Sequence, residues 1–175
     1  MIFLTVGSNQ PFDRLVRAVD EWCHKRGQSE VFGQILERGR YGYRPRNFDW
    51  VARLSPEEYL SKFKDARFVI AHAGMGSIIT AMSLAKPIIV LPRRGHLKET
   101  RNDHQYGTVR RLVGQPGIYV AMAEEDLPEL LDHVVPLSDT GIATGTLSAF
   151  ADDCLIKGLR DFIHSGPADI RKTHR

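Results

Sequence analysis

The sequence predicts an α/β fold, a Rossmann-like parallel sheet with helices on both faces. Three observations support this prediction. Short apolar runs alternate with amphipathic helical patterns along most of the chain. Two of these runs, at 67–71 and 86–92, are apolar at most positions, as strands buried on both faces require. Polar loops follow several of the runs, at the edge of the sheet where such folds bind their ligands.

The elements follow one another in regular order. Pro11 suits the first turn of a helix and Gly27 suits its end, and Ser55 followed by Pro56 predicts the start of the next helix. The pattern predicts strands at 2–6, 30–36, 48–54, 67–71, 86–92 and 117–121. It predicts helices at 11–27, 55–66, 77–85, 102–115, 124–135 and 148–164, with a loop at 136–146. We therefore expect one domain at 1–164 and a flexible basic tail at 165–175.

Composition is that of a soluble globular protein: 175 residues, 42% hydrophobic and 26% charged. The net charge of +3 is compatible with phosphate-bearing ligands or with an anionic membrane surface. No apolar run approaches the ~20 residues that span a bilayer, and the N-terminus has no basic leader, so any membrane association is expected to be peripheral. Cys23 and Cys154 lack CxxC spacing and are expected to be buried, reduced thiols of a cytoplasmic protein.

Three polar loops, at 7–10, 72–77 and 93–105, are predicted to meet at the carboxyl ends of the strands. The second reads HAGMGS and lies at a strand-to-helix turn. There, glycines let backbone amides approach a diphosphate, and the helix offers its positive end to an anion. The motif is neither GxGxxG nor a P-loop. The alternative is a glycine-rich turn that binds nothing.

The polar side chains of these loops leave alternatives open. His72 is either a buried, satisfied histidine or a donor to a phosphate or sugar hydroxyl. Glu99 suits paired ribose hydroxyls or a surface ion pair. No D-x-D or HExxH motif occurs, so no metal or other cofactor is expected. The charge of a diphosphate would then be met by helix ends and by cations of the third loop, which are Arg93, Arg94, Lys98 and Arg101. The alternative for these cations is a solvated loop.

The segments MIFLTVGSNQPFDRLVRAVDEW, VIAHAGMGSIITAMSLAKPIIVLPRR and NDHQ, in this order, resemble the glycosyltransferase family 28 C-terminal domain. The resemblance runs from Met1 to about Leu131. The family members that the chain resembles include bacterial polysaccharide-synthesis glycosyltransferase subunits and the Alg13-type subunit. It implies the donor-binding half of an inverting, metal-independent GT-B glycosyltransferase that uses a UDP-sugar. It also implies a membrane-anchored partner subunit and a polyprenyl-diphosphate-linked sugar acceptor at the cytoplasmic face of the plasma membrane. No nucleic-acid partner is expected.

Residue by residue, the resemblance implies a substrate-binding set from the three loops. Its members are Gly7, Ser8, His72, Ala73, Gly74, Met75, Gly76, Ser77, Glu99, Asn102, Asp103, His104 and Gln105, with Arg93 near the departing UDP. Many members carry a glutamate three residues after the motif serine. Here that position is Thr80, so either Thr80 or Glu99 is expected at the ribose.

The general base is unassigned, and His72 and Glu99 are its weak candidates. The sequence is also compatible with two other functions. One is a self-sufficient small glycosyltransferase that acts as a homo-oligomer. The other is a nucleotide-sugar-binding module without transfer activity.

Overall fold

The structure is a computed structural model that describes residues 1–36 and 42–140. The strands are β1 (Ile2–Thr5), β2 (Val31–Gln34), β3 (Asp49–Val51), β4 (Phe68–His72), β5 (Ile88–Leu91) and β6 (Ile118–Val120). The helices are α1 (Asp13–Arg26), α2 (Pro56–Asp65), α3 (Met75–Ser83), α4 (His104–Leu112) and α5 (Leu127–Thr140), and a 3₁₀ turn (Glu124–Asp126) precedes α5. The predicted helix at 148–164, the predicted tail and Cys154 lie outside the described residues.

The six strands form one parallel sheet in the order β3-β2-β1-β4-β5-β6, which confirms the predicted Rossmann-like fold. β2 and then β3 lie on one side of β1, and β5 and then β6 lie on the far side of β4. β1 and β4 are therefore neighbours, with Thr5 opposite Ala71. In such a sheet the connections that leave the two central strands turn in opposite directions, and a crevice opens between them at their carboxyl ends.

Helices cover both faces of the sheet. The side chains of β1 alternate, so that Leu4 faces one core cluster and Phe3 faces the other. The first cluster includes side chains of α1 and α5, namely Leu15, Val16, Val19, Trp22, Leu127, Leu131 and Val134. The second includes side chains of α2, α3 and α4, namely Phe63, Ile78, Ala81 and Val109. Burial on both faces explains why the central strands are almost wholly apolar.

Local signals set the start of α2 and the end of α1. Ser55 Oγ accepts a hydrogen bond from the Glu58 backbone N–H at 3.2 Å, and the Glu58 carboxylate accepts one from the Ser55 N–H at 2.8 Å. This reciprocal cap, with Pro56 in the first helical position, starts α2 as predicted. Gly27 ends α1 in the left-handed conformation, with φ +61°.

The predicted loop at 136–146 is wrong over its described part, because α5 continues through Pro136 to Thr140. A proline inside a helix lacks one N–H donor and typically costs about 3 kcal/mol. The helix is held against α1 by apolar contacts and by the Trp22 Nε1–H, which donates to Asp132 at 2.9 Å. Tertiary packing therefore outweighs the local preference for a break.

Cys23 lies buried in α1 as a free thiol. Burial, together with the nearby Asp20 carboxylate, raises the pKa of the Cys23 thiol to about 12. The thiol is therefore protonated and unreactive at neutral pH. For Cys23, the expectation of a buried, reduced side chain is confirmed.

Candidate functional site

A cleft of about 1160 Å³ lies beyond the carboxyl ends of β1 and β4, where the strand order changes direction. We call it the main cleft. Its walls are the β1–α1 loop (residues 6–12), the start of α2, the β4–α3 turn (residues 73–74), the first turns of α3 and the β5–α4 loop (residues 92–103). The structure thus brings the three predicted loops together.

Most of the predicted site residues line the main cleft. Those that do are Gly7, Ser8, His72, Gly74, Gly76, Ser77, Thr80, Arg93, Asn102, His104 and Gln105. Ala73, Met75, Glu99 and Asp103 are not among the lining residues. Ala73 is buried in the core, and Asp103 accepts a hydrogen bond from the Gly95 N–H at 2.7 Å. Met75, the first residue of α3, is exposed to solvent outside the cleft.

The N-terminus of α3 faces the cleft without a side-chain cap. Gly74 is the N-cap residue, and it has no side chain to accept from the first helical turn. The N–H groups of Met75, Gly76 and Ser77 therefore have no intrahelical acceptor. A Cβ placed on Gly76 would meet nothing within 4 Å, so open space lies directly over this turn. Free N–H groups and the positive end of the helix together favour an anion here.

The imidazole of His72 lies between two glycines. A Cβ on Gly7 would be 2.7 Å from its Cε1, and a Cβ on Gly74 would be 2.2 Å from its Nε2, so neither position has room for a side chain. Burial, together with the positive charge of Arg93, lowers the pKa of His72 to about 4. His72 is therefore neutral at neutral pH and is a weak base.

Arg93 is a buried residue that links two loops of the cleft wall. Arg93 is only 4% exposed, and its guanidinium lies 4.6 Å from the centroid of the Phe12 ring. The two terminal nitrogens donate to four backbone carbonyl oxygens at 2.6–3.2 Å, those of Val6, Gln10, Pro11 and Glu99. Of the five N–H groups of the guanidinium, only Nε–H is not needed for these four hydrogen bonds. Arg93 therefore joins the β1–α1 loop to the β5–α4 loop, and little of it is left for the diphosphate contact that the sequence suggested.

Glu99 lies behind the cleft wall. Its carboxylate forms a two-point ion pair with Arg14 and accepts a hydrogen bond from the Arg94 N–H at 2.8 Å. Thr80 does line the cleft, although its hydroxyl donates to the Gly76 carbonyl at 2.8 Å. Of the two residues expected at the ribose, the geometry thus favours Thr80.

The four cations expected around a diphosphate have different positions. Arg94 donates to the Tyr106 hydroxyl at 3.0 Å and approaches Glu124 at 3.4 Å, outside the cleft. Lys98 is exposed and does not line the cleft. Arg101 lines it and is exposed, with no ion-pair partner in the part of the chain that the structure describes. Arg101 is therefore the cation best placed to meet a bound phosphate.

Three residues of this region were missed by sequence reasoning. Tyr59 lines the cleft, and its hydroxyl lies 3.2 Å from Ser77 Oγ. Gln34 joins two loops, because its amide donates to the Gly7 carbonyl at 3.1 Å and accepts from the Leu54 N–H at 3.2 Å. Arg14 supports Glu99. A polar Gln34 at the end of a buried strand is the one signal that sequence analysis could have used.

Residues 1–36 and 42–140 contain neither a metal-binding cluster nor a membrane-spanning helix. No group of three or more His, Cys, Asp or Glu side chains in that range is arranged to hold a metal ion. No helix within it has the length and apolar character needed to cross a membrane.

Solved structures with this fold include several glycosyltransferases. The kitacinnamycin glycotransferase has a TM-score of 0.56 and 18% identity, over 94% of this chain and 39% of that one. ALG13, solved by NMR, has a TM-score of 0.53 and 18% identity, over 90% of this chain and 93% of that one. CalG4, the calicheamicin glycosyltransferase, has a TM-score of 0.52 and 13% identity, over 75% of this chain and 34% of that one. At these identities the likeness shows the fold alone.

Sequence comparison is more specific. No curated protein sequence matches this chain. The profile of the glycosyltransferase family 28 C-terminal domain, however, matches residues 1–141. This range contains all three loops of the main cleft and every strand of the sheet. The chain therefore belongs to the glycosyltransferase family 28 C-terminal domain family.

Proposed function

We propose that this chain is the donor-binding part of an inverting glycosyltransferase that uses a UDP-sugar. The observation that carries the proposal is the uncapped N-terminus of α3, which faces the main cleft that Arg101 also lines. A diphosphate is the part of a UDP-sugar that such a helix end and cation would bind. Membership of the family supports the transferase class.

The donor lies across the cleft in this proposal. Its diphosphate accepts hydrogen bonds from the first turn of α3, and Thr80 lies near the ribose. Asn102, His104 and Gln105, which also line the cleft, offer polar groups to the sugar. Gln105 is already oriented, because its side-chain oxygen accepts from the Arg93 N–H at 3.0 Å.

The proposed transfer is a direct displacement at the anomeric carbon of the sugar. An acceptor hydroxyl forms the new bond while the bond to UDP breaks, and negative charge develops on the departing diphosphate. The helix end and Arg101 stabilise that charge in place of a metal ion. His72 is too weak a base, with its pKa near 4, to deprotonate the acceptor efficiently at neutral pH. Glu99, the other candidate, is paired with Arg14 and does not line the cleft, so we propose that the base comes from the acceptor side.

We further propose that a membrane-anchored partner subunit supplies the acceptor side. The acceptor is then a sugar linked to a polyprenyl diphosphate, presented at the cytoplasmic face of the membrane. What supports this proposal is the resemblance of the motifs to the Alg13-type subunit, together with the fold that the chain shares with ALG13 over 90% of its length.

Calorimetric titration tests the donor part of the proposal. UDP is expected to bind more tightly than AMP or NAD, and equal affinities or no UDP binding would contradict it. Coexpression with the product of a neighbouring gene that encodes a membrane-anchored protein tests the rest. We expect transfer from a UDP-sugar only when both chains are present. Transfer by this chain alone would instead favour a self-sufficient enzyme, and UDP binding without transfer in either case would favour a binding module.

A further inference from the structure

A second cleft, of about 930 Å³, lies on the α1 side of the sheet and shares no lining residue with the main cleft. We call it the arginine cleft. It is lined by α1, by residues 42–46 and by β3. Among the residues that the structure describes, its charged lining residues are Arg17, Arg44, Arg46 and Asp13, which are three cations and one anion. Tyr43 and Trp50 add aromatic surface.

The wall formed by residues 43–47 is held by one buried carboxylate. Asp20 is 3% exposed and accepts from the Tyr43 hydroxyl at 2.6 Å, from the Arg46 N–H at 3.0 Å and from the Asn47 N–H at 2.8 Å. Burial alone would raise the pKa of Asp20, but these hydrogen bonds hold it below its ordinary value. Asp20 therefore stays ionised at neutral pH and fixes this wall against α1.

A fixed aromatic ring orients one of the arginines. The Arg17 guanidinium lies 4.3 Å from the centroid of the Tyr43 ring, a cation–π contact, and that ring is itself held by Asp20. Neither Arg17 nor Arg46 has an ion-pair partner among residues 1–36 and 42–140, and both are exposed. A cation ordered in this way, as Arg17 is, loses less conformational entropy when a ligand binds than a cation of a solvated loop would.

We propose that the arginine cleft binds a phosphate group of a ligand other than the sugar donor. Guanidinium groups match the geometry of phosphate oxygens, with two parallel hydrogen bonds from each. The volume of the cleft exceeds that of a single phosphate, which leaves room for the body of a phosphorylated compound against Trp50. The phosphate belongs either to a water-soluble compound or to a lipid headgroup, and the experiment separates these sources.

The two tryptophans of the chain provide the readout. Trp50 lines the arginine cleft, whereas Trp22 donates its indole N–H to Asp132 between α1 and α5. An amide NMR spectrum of the ¹⁵N-labelled full chain shows one indole signal for each. UDP is added to saturation first, so that added anions cannot act through the main cleft. The probes are sodium pyrophosphate, vesicles of phosphatidylcholine with phosphatidylglycerol, and vesicles of phosphatidylcholine alone.

With pyrophosphate we expect the Trp50 signal to shift while the Trp22 signal stays unchanged. Vesicle binding is measured by co-sedimentation, and we expect binding to phosphatidylglycerol vesicles and not to phosphatidylcholine vesicles. A response to pyrophosphate identifies a soluble ligand, and a response to the anionic vesicles alone identifies a lipid headgroup. No response to either probe overturns the proposal.

Paired variants make the test specific. Joint Arg17→Ala and Arg46→Ala substitution is expected to weaken binding of the responding probe roughly tenfold or more. Joint Arg110→Ala and Arg111→Ala substitution removes the same charge from exposed positions on α4 and is expected to leave binding unchanged. Equal losses in the two variants would show non-specific attraction and overturn the proposal. Both variants should keep wild-type affinity for UDP. A failure of phosphate binding in the arginine cleft can therefore be distinguished from a failure of UDP binding in the main cleft.

Discussion

Arg14 and Glu99, 85 positions apart in the sequence, form a two-point ion pair, with Nε to Oε1 at 2.8 Å and Nη2 to Oε2 at 2.9 Å. Their side chains are 11% and 13% exposed. Arg14 also reaches Glu124 at 2.7 Å and the Pro92 carbonyl at 2.9 Å. This relationship connects α1 to the β5–α4 loop, which carries Arg101 and Asn102 into the main cleft.

Loss of this ion pair should lower both the stability of the fold and the affinity of the main cleft for UDP. Arg14→Met leaves the Glu99 carboxylate partly buried without its partner, and we expect a loss of about 1–3 kcal/mol in the free energy of unfolding. UDP affinity should fall as well, because the loop that carries Arg101 loses its support. Urea denaturation and calorimetry measure the two effects. Arg17→Met, one turn further along α1, is the control and should retain UDP affinity.

A double-mutant cycle identifies the cause. Glu99→Gln combined with Arg14→Met should cost clearly less than the sum of the two single changes, with a coupling of about 1–2 kcal/mol. Additive losses would show that the two side chains act independently and that the ion pair is not what supports the loop.

His72 should make stability depend on pH. Its folded pKa, about 4, lies below the ordinary value of 6.5, so the unfolded chain binds more protons in the interval between the two. Stability from this group is therefore fully present above the ordinary pKa and is lost as the pH falls toward the folded pKa. Between about pH 7 and about pH 5 we expect a loss of about 2 kcal/mol from His72 alone.

Urea denaturation at both pH values checks this expectation, and His72→Asn is the comparison. Asparagine cannot titrate in this range, so the variant should lose less stability on acidification than the wild type. An identical pH dependence in both proteins would show that His72 is not the titrating group.

Gly76 should matter for the ligand and not for the fold. A Cβ added at this position meets no protein atom within 4 Å, so a side chain here starts into the open space over the first turn of α3. We expect Gly76→Val to retain wild-type stability while UDP affinity falls roughly tenfold or more, since a well-placed hydrogen bond to a charged group is worth about 1.5–3 kcal/mol. Thermal unfolding and calorimetric titration with UDP measure the two quantities.

Gly107 offers a matched control. It lies within α4, a Cβ added there would likewise meet nothing within 4 Å, and it does not line the main cleft. Gly107→Val should leave UDP affinity unchanged. If Gly76→Val also bound UDP normally, the turn would be a structural feature only.

Arg101 should act through the phosphates of the ligand. Arg101→Ala is expected to lower UDP affinity roughly tenfold, because a charge-assisted hydrogen bond is lost. Affinity for uridine, which has no phosphate, should not change. Lys98→Ala removes a neighbouring exposed charge outside the cleft and serves as the control. An equal effect of Arg101→Ala on UDP and on uridine would place Arg101 away from the phosphates.

Local features of this protein could be predicted from its sequence. The cap of α2 at Ser55 and Glu58 depends on residues three positions apart, and the end of α1 depends on Gly27. The alternation of strands and helices, and the loops at their ends, follow from periodicity and from glycine and proline positions. Interactions over a few residues leave a readable pattern, because the same residues set the conformation in any surrounding.

Other features depend on which distant parts of the chain meet. The strand order places β1 beside β4, and this alone creates the main cleft. Arg93 and Glu99 read as available charges in the sequence, yet both are engaged by groups from distant segments, including Val6 for the first and Arg14 for the second. α5 passes through Pro136 because packing against α1 offsets the local cost. Burial and pairing depend on the whole fold, so the tertiary structure determined which polar groups face the ligand and which hold the protein together.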